Sequence, residues 1–267
     1  MKRLAFAVAM VLGLALVGCQ KAPEKAADNA TANATAKAPE EKTLVNGIDG
    51  GGFPPYAFVD KEGKTVGFDV EAIEWIGKKM GFKVKHQPVE WSAIIPALEA
   101  KKIDMICSGM SATAERAERV NFSDPYYQVT QVLVVKGDSK ATLEQMLTTN
   151  KKIGVQRGTV TAKYLEELSK KPGMKFKLVQ YDSSDLSMQD LPVGRIDGSG
   201  MDNTIAKEVL KKDKNVKVVG TFDAPAENYG YAVRKDDAEL LKKINDGLKL
   251  LMADPYWQEL KKKYDVD

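Results

Sequence analysis

Apolar positions recur along the chain in two alternating rhythms. Short runs rich in Val, Ile and Tyr have the length of strands, and between them lie stretches with helical spacing. Residues 43–48 read as a strand. Residues 69–80 read as a helix, with Val70, Ile73, Trp75 and Ile76 on one face and Gly81 as its stop. Strand 83–86, helix 92–100 with Ser92 as N-cap, and strand 103–107 follow. A second set begins with the very apolar strand 129–135. It continues through helix 142–148, strand 152–155, helix 160–169, strands 175–181 and 195–198, helix 203–211 and strand 216–220. Strand 229–233 and helices 237–252 and 255–264 have a different texture and read as a return to the first set. Strand–helix alternation of this kind predicts an α/β protein with mostly parallel sheets flanked by helices.

The first 42 residues break both rhythms. Met1-Lys2-Arg3 is positive, and residues 4–17 form an apolar run of signal-peptide length, too short to span a bilayer comfortably. The run ends in Leu16-Val17-Gly18-Cys19, which resembles the bacterial lipoprotein box and implies a lipidated Cys19 as the first mature residue. Residues 20–42 are Ala, Lys, Glu, Asn, Thr and Pro with no large apolar side chain, and are expected to form a disordered tether.

The formal charge of +3 falls to about +1 without Lys2 and Arg3, and the lysines are interspersed with Asp and Glu. No basic stripe suggests nucleic acid. With Cys19 lipidated, Cys107 has no partner, and it sits in an apolar run expected to be buried. One histidine, His86, and no ligand-spaced cluster of His, Cys, Asp and Glu give no reason to expect a metal, a cofactor or Cys–His catalysis.

Eight stretches, in order from residue 43 to the end, carry a resemblance. They are Phe53-Pro54-Pro55-Tyr56-Ala57-Phe58, Val66-Gly67-Phe68-Asp69-Val70, Ile94-Ile95-Pro96-Ala97-Leu98, Lys102-Ile103-Asp104, Ser108-Gly109-Met110-Ser111-Ala112-Thr113, Phe122-Ser123-Asp124-Pro125-Tyr126-Tyr127, Gly154-Val155-Gln156-Arg157-Gly158-Thr159 and Tyr229-Gly230-Tyr231-Ala232-Val233-Arg234-Lys235. The chain thereby resembles the polar amino-acid-binding proteins of bacterial ABC importers, solute-binding protein family 3. The resemblance implies a two-lobed periplasmic-binding-protein fold of type II: residues 43–132 with 227–267 as one lobe, 133–226 as the other, hinged by two crossings near 129–136 and 228–234. It also implies a monomeric, extracytoplasmic, membrane-tethered receptor for a free amino acid, working with an importer permease.

A zwitterion needs donors for its carboxylate, an acceptor for its ammonium and a shaped pocket for its side chain. By the resemblance, Arg116 takes the carboxylate, since a guanidinium grips it with two parallel hydrogen bonds. Ser111, Thr113, Thr159 and the Val160 N–H stand at neighbouring turns and helix starts. Asp202 takes the ammonium with the Gly109 carbonyl, although Asp202 equally suits the N-cap of helix 203–211. Phe53 and Trp91 match the family's aromatic pair, Gln156 and Asp49 its distal end, and Tyr56 reads rather as core. Three departures bear on the ligand: Gly50-Gly51-Gly52 lengthens the loop after Asp49, Ala112 and Ala114 are small, and Gly198-Ser199-Gly200 lightens a strand. A polar ligand is expected. Two other functions fit the same scaffold. One is a cyclohexadienyl-dehydratase-like enzyme with Glu227 or Asp202 as general acid; the other is a ligand-sensing module.

Overall fold

The computed structural model describes residues 41–266. The leader, Cys19 and the tether up to residue 40 lie outside the described residues. In chain order the elements begin with β1 (Lys42–Asp49), β2 (Phe58–Val59), β3 (Thr65–Val66), α1 (Phe68–Met80), β4 (Phe82–Val89), α2 (Ile94–Glu99) and β5 (Met105–Ile106). Next come α3 (Ala114–Arg119), β6 (Val120–Phe122), β7 (Tyr127–Val129), β8 (Gln131–Lys136), α4 (Leu143–Thr148), β9 (Lys152–Gln156), α5 (Val160–Ser169) and β10 (Lys177–Tyr181). The chain ends with α6 (Ser184–Asp190), β11 (Gly198–Asp202), α7 (Asn203–Lys212), β12 (Val216–Thr221), β13 (Glu227–Tyr229), β14 (Ala232–Arg234), α8 (Ala238–Ala253) and α9 (Pro255–Tyr264).

Two five-stranded sheets organise the two lobes, in the orders β4-β1-β5-β14-β6 and β10-β9-β11-β8-β12. Both are mixed rather than mostly parallel. β4, β1 and β5 pair parallel across helical crossovers, whereas β14 pairs antiparallel with both β5 and β6. The second sheet repeats this scheme: β10, β9 and β11 are parallel, and β8 is antiparallel to both β11 and β12. The antiparallel strands, β14 and β8, are those entered from the crossings, each running opposite to both of its neighbours. The crossings themselves form a small antiparallel ribbon, β7 with β13, which pairs Glu227 with Val129 and Tyr229 with Tyr127. β8, already part of the second sheet, starts at Gln131, so the chain changes sheets slightly earlier than the sequence suggests.

β8 shows why its run reads as continuously apolar. Val132 and Val134 enter one core cluster with Met201 and Ile205. Leu133 and Val135 enter another with Met146, Ile153, Val155 and Leu165. Side chains alternate between faces, and both faces are covered. In the first lobe, Ile73 and Ile76 of α1 pack with Ile244, Leu248 and Leu251 of α8 and Trp257 of α9. On the other side Ile94, Ile95 and Leu98 of α2 cover Ile103 and Ile106. The light stretch 198–200 seats helices. A Cβ on Gly200 would stand 3.0 Å from Thr161 and 3.1 Å from Leu165 of α5. Among the described residues no helix is long and apolar enough to cross a membrane.

Several local readings need correction. Ser92 is not an N-cap; Trp91–Ala93 form a 3-10 turn capped by Glu90, whose carboxylate accepts from Ser92 N and Ala93 N. The strand expected at 195–198 begins only at Gly198 and runs to Asp202. Helix α6 and the β2–β3 hairpin lacked an apolar rhythm long enough to announce them.

Gly67 sets the start of α1. Its φ of +139° lies in glycine territory, and a Cβ there would stand 2.2 Å from the Tyr56 carbonyl oxygen. Gly67→Ala is therefore expected to destabilise the fold by roughly 2 kcal/mol or more, read as a lowered urea midpoint at unchanged m-value.

Candidate functional site

Loop and strand ends from both lobes converge on one small cavity. Its lining is Asp49, Phe53, Trp91, Gly109, Ser111 and Arg116 from the first lobe, with Gln156, Thr159, Val160 and Asp202 from the second. Ten of the twelve residues that sequence reasoning named as pocket candidates meet here, at carboxyl ends of strands and adjoining turns, where open α/β sheets place their ligands. Two do not. Thr113 caps α3 by accepting from Arg116 N at 3.2 Å, so its hydroxyl serves the helix. Tyr56 is fully buried, packed edge-on against Tyr229 with ring centroids 5.1 Å apart.

Arg116 projects from the first turns of α3. Its Nη1 donates to the Ser111 carbonyl and its Nη2 to the Gly158 carbonyl of the other lobe, both at 3.0 Å. A guanidinium has five N–H donors, so donors remain for a carboxylate. Its carbon lies 5.6 Å from the Trp91 ring centroid. Burial pulls its pKa below the usual range, against the raising pull of Glu227 and Asp202.

Asp202 ends β11 and stands at the N-cap position of α7, yet its side chain makes no capping bond. Instead it accepts from the Tyr229 hydroxyl at 2.6 Å. Burial raises its pKa, while the Tyr229 hydroxyl and the Arg116 charge hold it back. A cap residue that leaves its helix uncapped has been given other work: its carboxylate lines the cavity.

Asp49 stays in the pocket despite the three glycines after it. Gly50 N bonds back to the Val89 carbonyl at 2.8 Å, and Gly51 N to Asp49 Oδ1 at 3.0 Å, so the loop folds onto itself. Asp49 Oδ2 accepts from Gln156 Nε2 of the other lobe at 2.8 Å. Its side-chain partners here are neutral. At 2 % exposure, burial pushes its carboxyl up to about 6. Phe53 and Trp91 lie nearly parallel, 8° apart with centroids separated by 6.3 Å. Gly109 adopts φ +62°, and a Cβ there would stand 2.5 Å from the Phe53 ring.

Thr159 caps α5, accepting from Ala162 N at 3.1 Å, and donates to the Gln156 carbonyl at 2.7 Å. The lobes touch closely around the cavity. A Cβ on Gly51 would stand 2.3 Å from Ser183 Cβ, and one on Gly158 would stand 3.0 Å from Ser92 Cα. Lys163 and Glu115 form an ion pair across the same mouth. Residues to which the sequence reading gave no site role also contribute. Tyr229 fixes Asp202, Ser184 reaches Gln156 Oε1 at 3.3 Å, and Asp69 binds Gly109 N at 2.6 Å. A tyrosine or serine of this kind has no signal of its own in one sequence. Glu227, half-buried in β13, has its pKa raised by burial and by Asp202, with the Ser111 hydroxyl and Arg116 pulling it down. Cys107 is buried, its pKa pushed well up by burial. Among the described residues no group of His, Cys, Asp and Glu could hold a metal.

Comparison with known proteins follows this geometry. Residues 44–266 match the family described as bacterial extracellular solute-binding proteins, family 3. The L-cystine-binding protein TcyJ of Escherichia coli is 30% identical over 229 residues, which cover 85% of this chain and 84% of that protein. The arginine-binding extracellular protein ArtP of Bacillus subtilis is 33% identical over 226 residues, covering 84% and 86%. Among solved structures, an ancestral arginine-binding protein bound to arginine is 38% identical with a TM-score of 0.76, covering 84% of this chain and 98% of that one. The chain belongs to the bacterial extracellular solute-binding proteins, family 3, and has their type II two-lobed fold.

Proposed function

We propose that the protein captures a free amino acid with a cationic side chain, arginine foremost, by closing its two lobes, and delivers it to an ABC importer. The observation that carries this reading is the meeting of Arg116 and Asp202, from opposite lobes, in one cavity. The spare donors of Arg116 suit the ligand's carboxylate, with Ser111 and the Val160 N–H beside it. Asp202 and the Gly109 carbonyl suit the ammonium. The third charge is Asp49. A buried carboxylate among neutral partners is costly, and a guanidinium or ammonium would compensate it. The parallel faces of Phe53 and Trp91 suit the same planar cation. The arginine-binding relatives agree with this assignment.

On this reading the ligand leaves unchanged, so the protein is a receptor and not an enzyme. It works as a monomer outside the cytoplasm, tethered through lipid on Cys19 and a polar segment, and docks with a permease. Family membership and the sequence of residues 1–42 support this placement.

Calorimetry against the twenty amino acids should give micromolar or tighter binding of arginine, with lysine next. Heat from none of them defeats the proposal. Arg116→Ala should lose about a hundredfold or more, on the order of 3 kcal/mol, and Asp202→Ala should weaken binding strongly.

Asp49 makes a pH signature. Burial raises its carboxyl to about 6, so the part of the affinity for a cationic side chain that Asp49 supplies should hold above that pH and fall about tenfold per unit below it. The stability sign is opposite. The folded state favours the protonated form, so this group weakens the fold as pH rises from the unfolded 3.8 through about 6, by roughly 3 kcal/mol in all. Asp49→Asn should remove this contribution from both curves and bring the affinity for arginine toward that for its neutral isostere, citrulline. Unchanged pH profiles would remove Asp49 from the site.

A further inference from the structure

A second buried carboxylate, Asp69, lies one layer behind the cavity. It is fully buried at the start of α1. Its Oδ2 accepts from Gly109 N at 2.6 Å and from the Tyr126 hydroxyl at 2.7 Å, and its Oδ1 from the Tyr231 hydroxyl at 3.3 Å. The ionisable groups facing it are the hydroxyls of Tyr126 and Tyr231, the Cys107 thiol and the Tyr56 hydroxyl. None is a cation. The hydrogen-bond donors come from three places: the cavity turn at Gly109, and the chain on either side of the crossing ribbon, at Tyr126 just before β7 and at Tyr231 just after β13.

We propose that Asp69 is a positioning residue for the amino-acid site, holding the Gly109 turn in its left-handed conformation so that the Gly109 carbonyl meets the ligand's ammonium. The inference rests on the amino-acid reading above. A charged acceptor makes the bond to Gly109 N–H short and strong. That bond fixes the plane of the peptide entering Gly109, and the left-handed φ of +62° sets the direction in which the chain leaves it along the cavity wall. The Phe53 ring leaves no room for a side chain that could fix the turn instead. The same carboxylate ties this turn to Tyr126 and Tyr231, so the subsite and the root of the crossings share one anchor.

An ionised Asp69 accepts all three bonds; a protonated one must use one oxygen as a donor. Burial raises its carboxyl to about 7, with Tyr126, Gly109 and Tyr231 holding it down. Lowering the pH through this value therefore loosens the turn and weakens binding. It also strengthens the fold, because the folded state favours the protonated acid. A purely structural role would move stability alone.

The test is calorimetry of the folded chain and Asp69→Asn with L-arginine and with the analogue lacking the α-amino group, from pH 8 to about 6. Asp69→Asn should lose tenfold or more for L-arginine at pH 8, and less than threefold for the analogue. It should also lack the decline in affinity that the parent shows between pH 8 and about 6.5. Equal affinities of the two proteins for L-arginine, or equal losses for both ligands, overturn the inference while leaving the receptor reading intact. Absence of arginine binding by the parent protein overturns both. Should Asp69→Asn fail to fold, Tyr126→Phe removes one stabilising donor and should move the pH midpoint of arginine binding upward; an unmoved midpoint overturns the proposal.

Discussion

A guanidinium withdrawn from water must be given partners, and how Arg116 is partnered constrains the rest of the site. Its two bonds to main-chain carbonyls, one from each lobe, orient the group without neutralising it. The nearest opposite charges are Asp202 and Glu227, felt at a distance and not as paired salt bridges. The positive charge therefore stays available. A backbone carbonyl is a suitable holder for this purpose, because it aligns the fork yet cannot satisfy its charge.

Closure depends on shape as much as on charge. The two lobes approach at Gly51 against Ser183 and at Gly158 against Ser92, both without a Cβ on the glycine side. Side chains there would hold the lobes apart and leave Asp49 and Gln156 out of reach of each other. The loop of three glycines thus lets backbone come close where the lobes meet, while Asp49 keeps its place by accepting from Gly51 N.

Much of this was legible in the sequence, for definable reasons. The helices Val160–Ser169 and Pro255–Tyr264 have apolar spacing bounded by a capping Thr or Asp, and their limits could be read directly. Strand β11 could not, because Gly198, Ser199 and Gly200 carry no apolar signal; they are small because α5 packs on them. The mixed sheets were missed because strand direction is set by how the crossings return, which local pattern does not encode. Within the site, motif resemblance located most of the pocket lining. It could not show that Asp202 leaves its helix uncapped, nor that Thr113 does the capping expected of its residue type. Tyr229 and Asp69 lie within motifs of the resemblance, but a motif does not show that a residue acts through another group.

The charges of the site also bear on what it should hold. Arg116 stands against three carboxylates, Asp49, Asp202 and Glu227, all with pKa values raised first of all by burial. A zwitterion with a neutral side chain offers one negative and one positive group, and leaves the surplus of acid uncompensated. A cationic side chain would add the missing charge at Asp49, the one of the three acids that Arg116 does not hold down. Two carboxylates still share the Arg116 side, and Glu227 there competes with an incoming carboxylate for the same guanidinium. Burial raises its pKa, while the Ser111 hydroxyl and Arg116 pull it back. Burial of the acids is thus what makes the empty site costly and the occupied one balanced. The same low-dielectric surroundings that tilt the acids toward protonation strengthen each ion pair that an arginine would complete.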